Sequence, residues 1–72
     1  MTIWRPDPTL LKRPAYLSLA EQFARAIHDG QLPNATRLPT HRKLAYELGL
    51  SVQTVSRAYE ELIRRGLISG EI

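Results

Sequence analysis

Three residues, Gly49-Leu50-Ser51, separate two runs of helical periodicity, and this short gap constrains the chain more than any other feature. Before the gap, Thr40 is placed to cap a helix, because its hydroxyl can accept from the free N–H groups that open one. His41 to Leu48 then carries Leu44, Ala45 and Leu48 at the spacing of a buried helical face. Gly49 ends the helix, since glycine alone takes the left-handed conformation there without steric cost. Ser51 is a second good N-cap. A connection this short permits only a sharp turn between two packed helices.

The second helix is predicted from about Val52 to Arg65, with Gly66 as its stop. At about 100° per residue, Val55, Ala58, Tyr59 and Leu62 share one side, and Gln53, Arg57, Glu60 and Arg64 the opposite one. Leu50 and Val55 are spaced as a hydrophobic staple. The opening turns expose Ser51, Gln53, Thr54, Ser56 and Arg57, which are small polar groups and one cation. This set suits base edges and phosphates at a helix N-terminus. Ser51 and Thr54 are expected to hold phosphate, and Gln53, Ser56 and Arg57 to read bases. Capping alone would explain either hydroxyl and solvation would explain Arg57, but neither explains the whole arrangement.

Charge agrees with that placement. The ten basic and seven acidic side chains leave a net +3. Arg37, Arg42, Lys43 and Arg57 face Glu47 alone between residues 37 and 57, and Arg5, Lys12 and Arg13 face Asp7 alone in the first 13. Positive charge is thus concentrated where a polyanion would be met. Arg37 and Lys43 are further candidates for phosphate.

These residues resemble the N-terminal DNA-binding domain of the GntR family of bacterial transcription regulators. The likeness is carried by Leu38-Pro39-Thr40-His41-Arg42-Lys43-Leu44-Ala45, Leu48-Gly49-Leu50-Ser51, Thr54-Val55-Ser56-Arg57-Ala58-Tyr59 and Arg65-Gly66-Leu67-Ile68, with Pro14-Ala15-Tyr16 and Ile27-His28-Asp29-Gly30 at the first helix. The resemblance implies that Arg42 grips a phosphate or a base beside the groove. Trp4 and the run Arg64 to Glu71 look most like the MocR branch, in which a domain similar to pyridoxal-phosphate aminotransferases follows. No such domain lies within these 72 residues, so pyridoxal phosphate is expected only in a C-terminal domain beyond them, and this domain needs no cofactor. Two positions depart from the family pattern. Asn34-Ala35 stands where a Pro-Gly pair is usual, and Val52 where arginine is common, which removes one contact to DNA.

The rest of the chain supports one small domain. Residues 1–13, broken by Pro6 and Pro8, read as an extended, irregular arm. Trp4 is expected to pack on the domain, and the arm's cations to be solvated. From Pro14, the apolar positions Tyr16, Leu19, Ala20, Phe23 and Ile27 define an amphipathic helix ended by Asp29-Gly30. His28 falls in its last turn, at the surface. Arg37-Leu38 and Leu67-Ile68-Ser69 are candidates for a short strand pair, with Gly70 opening a truncated wing.

No paired catalytic carboxylates, nucleophile with its base, or phosphate loop is evident. Glu60 and Glu61 precede Arg64 and Arg65 by four, the spacing of ion pairs that stiffen a helix. The two histidines, His28 and His41, lack the spacing of metal ligands. Without cysteine there is neither disulfide nor thiolate site, which fits a cytoplasmic protein. No apolar run reaches the roughly 20 residues of a membrane span.

The expectation is therefore a mainly α winged helix-turn-helix over residues 14–72, three helices and a short β element, acting as a sequence-specific binder of double-stranded DNA and not as an enzyme. The alternative makes it the N-terminal module of an aminotransferase-like MocR regulator. The full-length protein is expected to be a homodimer, with pairing outside this segment. A winged helix used for protein contact is disfavoured, because the exposed face of the second motif helix is polar.

Overall fold

The computed structural model describes residues 4–32 and 38–68. Three helices make up most of this: α1 (Ala15–His28), α2 (His41–Leu48) and α3 (Val52–Arg64). Helix α3 is central and packs against both α1 and α2. Its inner stripe, Val55, Ala58, Tyr59 and Leu62, meets Leu19, Ala20, Phe23 and Ala26 of α1 and Leu44 and Ala45 of α2. Leu50, before the α3 cap, also packs on this core, as the staple spacing predicts.

The caps fall where the sequence placed them. The Lys43 N–H donates to Thr40 Oγ1 at 3.2 Å, and the Thr54 N–H donates to Ser51 Oγ at 3.1 Å. The helix ends share one device. Leu50 N–H reaches back to the Ala45 carbonyl (2.9 Å) and Leu67 N–H to the Leu62 carbonyl (3.0 Å), across glycines at φ 69° and 75°. Gln31 N–H closes α1 in the same way on Ala26. These are Schellman closures, which need a left-handed residue at the turn. Pro14 lies one residue outside α1, as its N-cap, because its backbone is extended. Arg65 is the C-cap of α3 rather than its last residue.

Within the irregular arm, Pro8–Leu10 form a 3₁₀ turn capped by Asp7, whose Oδ1 accepts from Thr9 N–H (2.9 Å) and Thr9 Oγ1 (2.7 Å). One expectation is corrected. Leu67 and Ile68 form a bend and not a strand, and no strand occurs among the described residues. The Leu67 N–H is spent on closing α3, so the chain is still turning where extension was expected. Arg37, Asn34-Ala35 and the wing residues from Ser69 lie outside the described residues.

The arm is tied to α1. Asp7 N–H donates to Gln22 Oε1 (2.8 Å) and Gln22 Nε2 donates back to the Asp7 carbonyl (3.0 Å). Trp4 meets the Phe23 ring edge-on at 5.0 Å, Phe23 meets Tyr59 at 5.8 Å, and Tyr59 meets His41 at 4.8 Å. This aromatic row runs from the arm through the core to the first residue of α2. Edge-to-face pairs at such distances add to plain area burial.

Candidate nucleic-acid interface

The outward side of α3 is mainly polar, with Val52 and Ile63 exposed at its groove edge. Four inner positions are buried to within 1% exposure, so residues half a turn away must face solvent. Gln53, Arg57, Glu60 and Arg64 are all exposed, as the helical wheel predicts. Beside them, the first turn of α2 and the α3 surface enclose an open groove of about 740 Å³, lined by Thr40, His41, Arg42, Val52, Ser56, Tyr59, Glu60 and Ile63. Arg42 and Lys43 are exposed on α2.

The proposed contact residues are not equally free. Ser51 is exposed and Thr54 half-buried, and their hydroxyls lie 2.8 Å apart. Between them they hold two hydroxyl hydrogens and use one on each other, so one remains to donate outward. Ser56 is also half-buried, and its Oγ lies 2.9 Å from His41 Nδ1. It is therefore shared between the groove and α2, which the sequence reading of a fully exposed residue missed. Arg57 is exposed, but its guanidinium stacks 4.2 Å over the Tyr16 ring of α1. Arg37 lies outside the described residues. The structure thus brings Arg42, Ser56 and the start of α3 around one groove and holds Arg57 on the α1 side.

Supporting contacts fix these elements. Tyr59 Oη donates to the Pro39 carbonyl at 2.8 Å, anchoring the approach to α2 on α3. Burial pushes the Tyr59 phenol well above the usual tyrosine range, so it stays a donor. Arg5 pairs with Glu47 at 3.0 Å, which ties the arm to α2 and leaves this cation engaged. Glu61, and not Glu60, receives both arginines: Arg64 Nη2 at 2.6 Å and Arg65 Nε at 2.9 Å. Their hydrogen bonds, Arg64 first, hold the Glu61 carboxyl below its ordinary value. Arg65 also reaches Glu21 on α1 at 2.8 Å. No cluster of metal-ligating residues occurs among the described residues, and no described helix is long and apolar enough to cross a membrane.

His41 and Tyr16 are the two residues of this region that sequence reasoning missed as partners. His41 is 15 residues from Ser56, and Tyr16 lies on a different helix from Arg57. No local spacing encodes either contact.

Comparison with known proteins decides what kind of domain this is. Residues 15–71 match the family described as "Bacterial regulatory proteins, gntR family". The chain belongs to the GntR family. It is a GntR-family DNA-binding transcription-regulator domain. It is 36% identical over 69 residues to the uncharacterized HTH-type transcriptional regulator YdeF of Bacillus subtilis, covering 96% of this chain and 15% of that protein. It is 46% identical over 50 residues to the HTH-type transcriptional regulator Rv1152 of Mycobacterium tuberculosis, covering 69% and 41%. The HTH-type transcriptional repressor STM4068 of Salmonella typhimurium is 34% identical over 58 residues, covering 81% and 24%. This GntR-family domain therefore spans less than half the length of each of these relatives. No solved structure matches it.

Proposed function

We propose that α3 enters the major groove of double-stranded DNA and that the groove beside it receives one strand of the backbone. The observation that carries this is the placing of exposed Arg42, at the start of α2, with Ser56 and Glu60 of α3 around one concavity, while Gln53 and Arg57 face solvent on the same helix. A recognition helix uses its N-terminal residues on base edges while the preceding helix crosses the backbone. Gln53, Ser56 and Arg57 take the base-reading roles. Arg42, Lys43, Ser51 and Thr54 take phosphate, helped by the free N–H groups at the start of α3. Arg37 is assigned to phosphate on its charge and sequence position. Residues 1–13 act as an arm and residues 14–72 as the winged helix-turn-helix.

A single domain of this size binds weakly and mostly through phosphates. Two copies would cover half-sites about one helical turn, or a multiple of it, apart. A homodimer formed by segments outside this chain would supply them, in the cytoplasm where a regulator meets its DNA. The placement in the MocR branch, with a pyridoxal-phosphate domain following, rests only on the wording around Trp4 and Arg64 to Glu71. The plain regulator reading is better supported, because the matched proteins are named transcriptional regulators and repressors.

Selection of bound duplexes from a random DNA pool at two salt concentrations tests the function. A common motif should emerge, and affinity for it should fall steeply with salt. Recovery of unrelated sequences at both salts would defeat the claim of sequence-specific recognition.

A further inference from the structure

We propose that His41 is a positioning residue for DNA recognition: it holds Ser56 so that the serine hydroxyl donates outward to an acceptor on the duplex. The proposal rests on the reading of α3 as the DNA-contacting helix.

The geometry is specific to this pair. His41 Nδ1 and Ser56 Oγ are 2.9 Å apart, at a half-buried position. The imidazole also packs on Tyr59, whose ring meets it at 4.8 Å and 67°. Tyr59 is itself fixed, 1% exposed and bonded through Oη to the Pro39 carbonyl. The ring of His41 therefore has little freedom to turn away. Both members of the pair line the groove that also holds Arg42.

A serine has one hydroxyl hydrogen. If Ser56 gives it to Nδ1, only lone pairs face the groove. If Nδ1–H instead donates to Ser56 Oγ, the hydroxyl hydrogen is free to point outward. A duplex surrounds this position with phosphate oxygens and, on the major-groove edge of guanine, with O6 and N7 acceptors. That field favours the second arrangement, a chain running from Nδ1–H to Oγ–H to an acceptor on DNA. Hydrogen bonds in such a chain polarise and strengthen one another. In this scheme His41 acts on recognition through Ser56. It fixes the rotamer of Ser56 and the polarity of its hydroxyl.

The test uses the full chain and the duplex it selects from a random pool, with a scrambled duplex as reference. His41→Phe keeps a ring against Tyr59 and removes the donor. It should lower affinity for the selected duplex by roughly three- to tenfold, the worth of one net hydrogen bond, and leave the scrambled duplex unaffected. Ser56→Ala should give the same loss, and the double variant should be no worse than either single one. His41→Asn, whose amide can donate from the place of Nδ1, should restore most of the affinity. Ser56→Ala disturbs no ring packing, so it tests the chain even if His41→Phe impairs folding. Unchanged affinity in a folded His41→Phe chain, or losses in the two single variants that multiply in the double, would overturn the proposal. Full binding by Ser56→Ala would overturn it too, while leaving the roles of Gln53 and Arg57 standing. If the native chain selects no sequence at all, the DNA reading fails and this proposal with it.

Discussion

The Arg57 guanidinium stacks 4.2 Å over the ring of Tyr16. This contact spans two helices and restrains a long, otherwise exposed side chain at the edge of the polar α3 surface. A stacked guanidinium keeps its N–H fork free at the rim, so it can still bond to a base or phosphate with less rotamer freedom left to lose. The pair thus links α1, whose sequence pattern speaks only of core packing, to the binding surface.

Tyr16 should matter to binding for that reason. Tyr16→Leu keeps apolar cover but removes the ring face, and should weaken DNA binding by about 0.5–1 kcal/mol, the worth of an exposed cation–π contact. Arg57→Ala should weaken it by about 1–3 kcal/mol and make the salt dependence shallower if Arg57 also meets a phosphate. Fluorescence-anisotropy titrations at several salt concentrations separate the two, and equal binding by Tyr16→Leu and the native chain would remove Tyr16 from the interface.

Arg42 is exposed at the groove and lies on the short α2. Arg42→Ala should weaken DNA binding by about 1–3 kcal/mol. Its circular-dichroism melt should stay that of the native chain, because Arg42 buries nothing in the core. Native-like gel shifts from this variant would count heavily against the site assignment.

Val55 is fully buried between the helices. Val55→Ala removes two methyl groups and leaves a small cavity, which should destabilise the fold by about 2 kcal/mol. Urea unfolding gives the value directly. In contrast to Arg42→Ala, any loss of DNA binding should disappear at temperatures well below the variant's melting point.

Acidification should act through Glu61. Arg64 and then Arg65 hold its carboxyl below the ordinary value, so at falling pH the unfolded chain takes up this proton before the folded one. The contribution to stability is complete above the ordinary carboxylate range and is lost as pH falls through the lowered value. Asp7, lowered by its bonds from the Thr9 hydroxyl and N–H, acts in the same sense. Melts between pH 7 and pH 3 should show Glu61→Gln losing less stability on acidification than the native chain. Parallel curves for the two would rule out Glu61 as a contributor.

Much of the fold was legible because its signals are local. Thr40, Gly49, Ser51 and Gly66 act within one helical turn of their own position, and the apolar stripes of α1 and α3 obey a period that any helix must obey. The candidate site was legible to the same depth: which α3 residues face outward follows from the wheel, and Gln53 and Arg57 do. The expected strand at Leu67-Ile68 failed because aliphatic composition competes there with the closure of α3, and the closure uses the Leu67 N–H. The ion-pair prediction erred in detail for a related reason. Spacing admits both Glu60–Arg64 and Glu61–Arg65, and the actual choice of Glu61 for both arginines accompanies the approach of α1, whose Glu21 also takes Arg65.

The sequence by itself determined the helices, their caps and the polar exterior of α3, since each depends on residues within a few positions of one another. Tertiary structure alone decided which outward groups are restrained and by what. Ser56 meets His41, Arg57 meets Tyr16, and Arg5 meets Glu47 because α3 packs on two other helices and the arm folds back. Those pairings depend on how the helices and the arm pack together, and no periodicity along the chain records that.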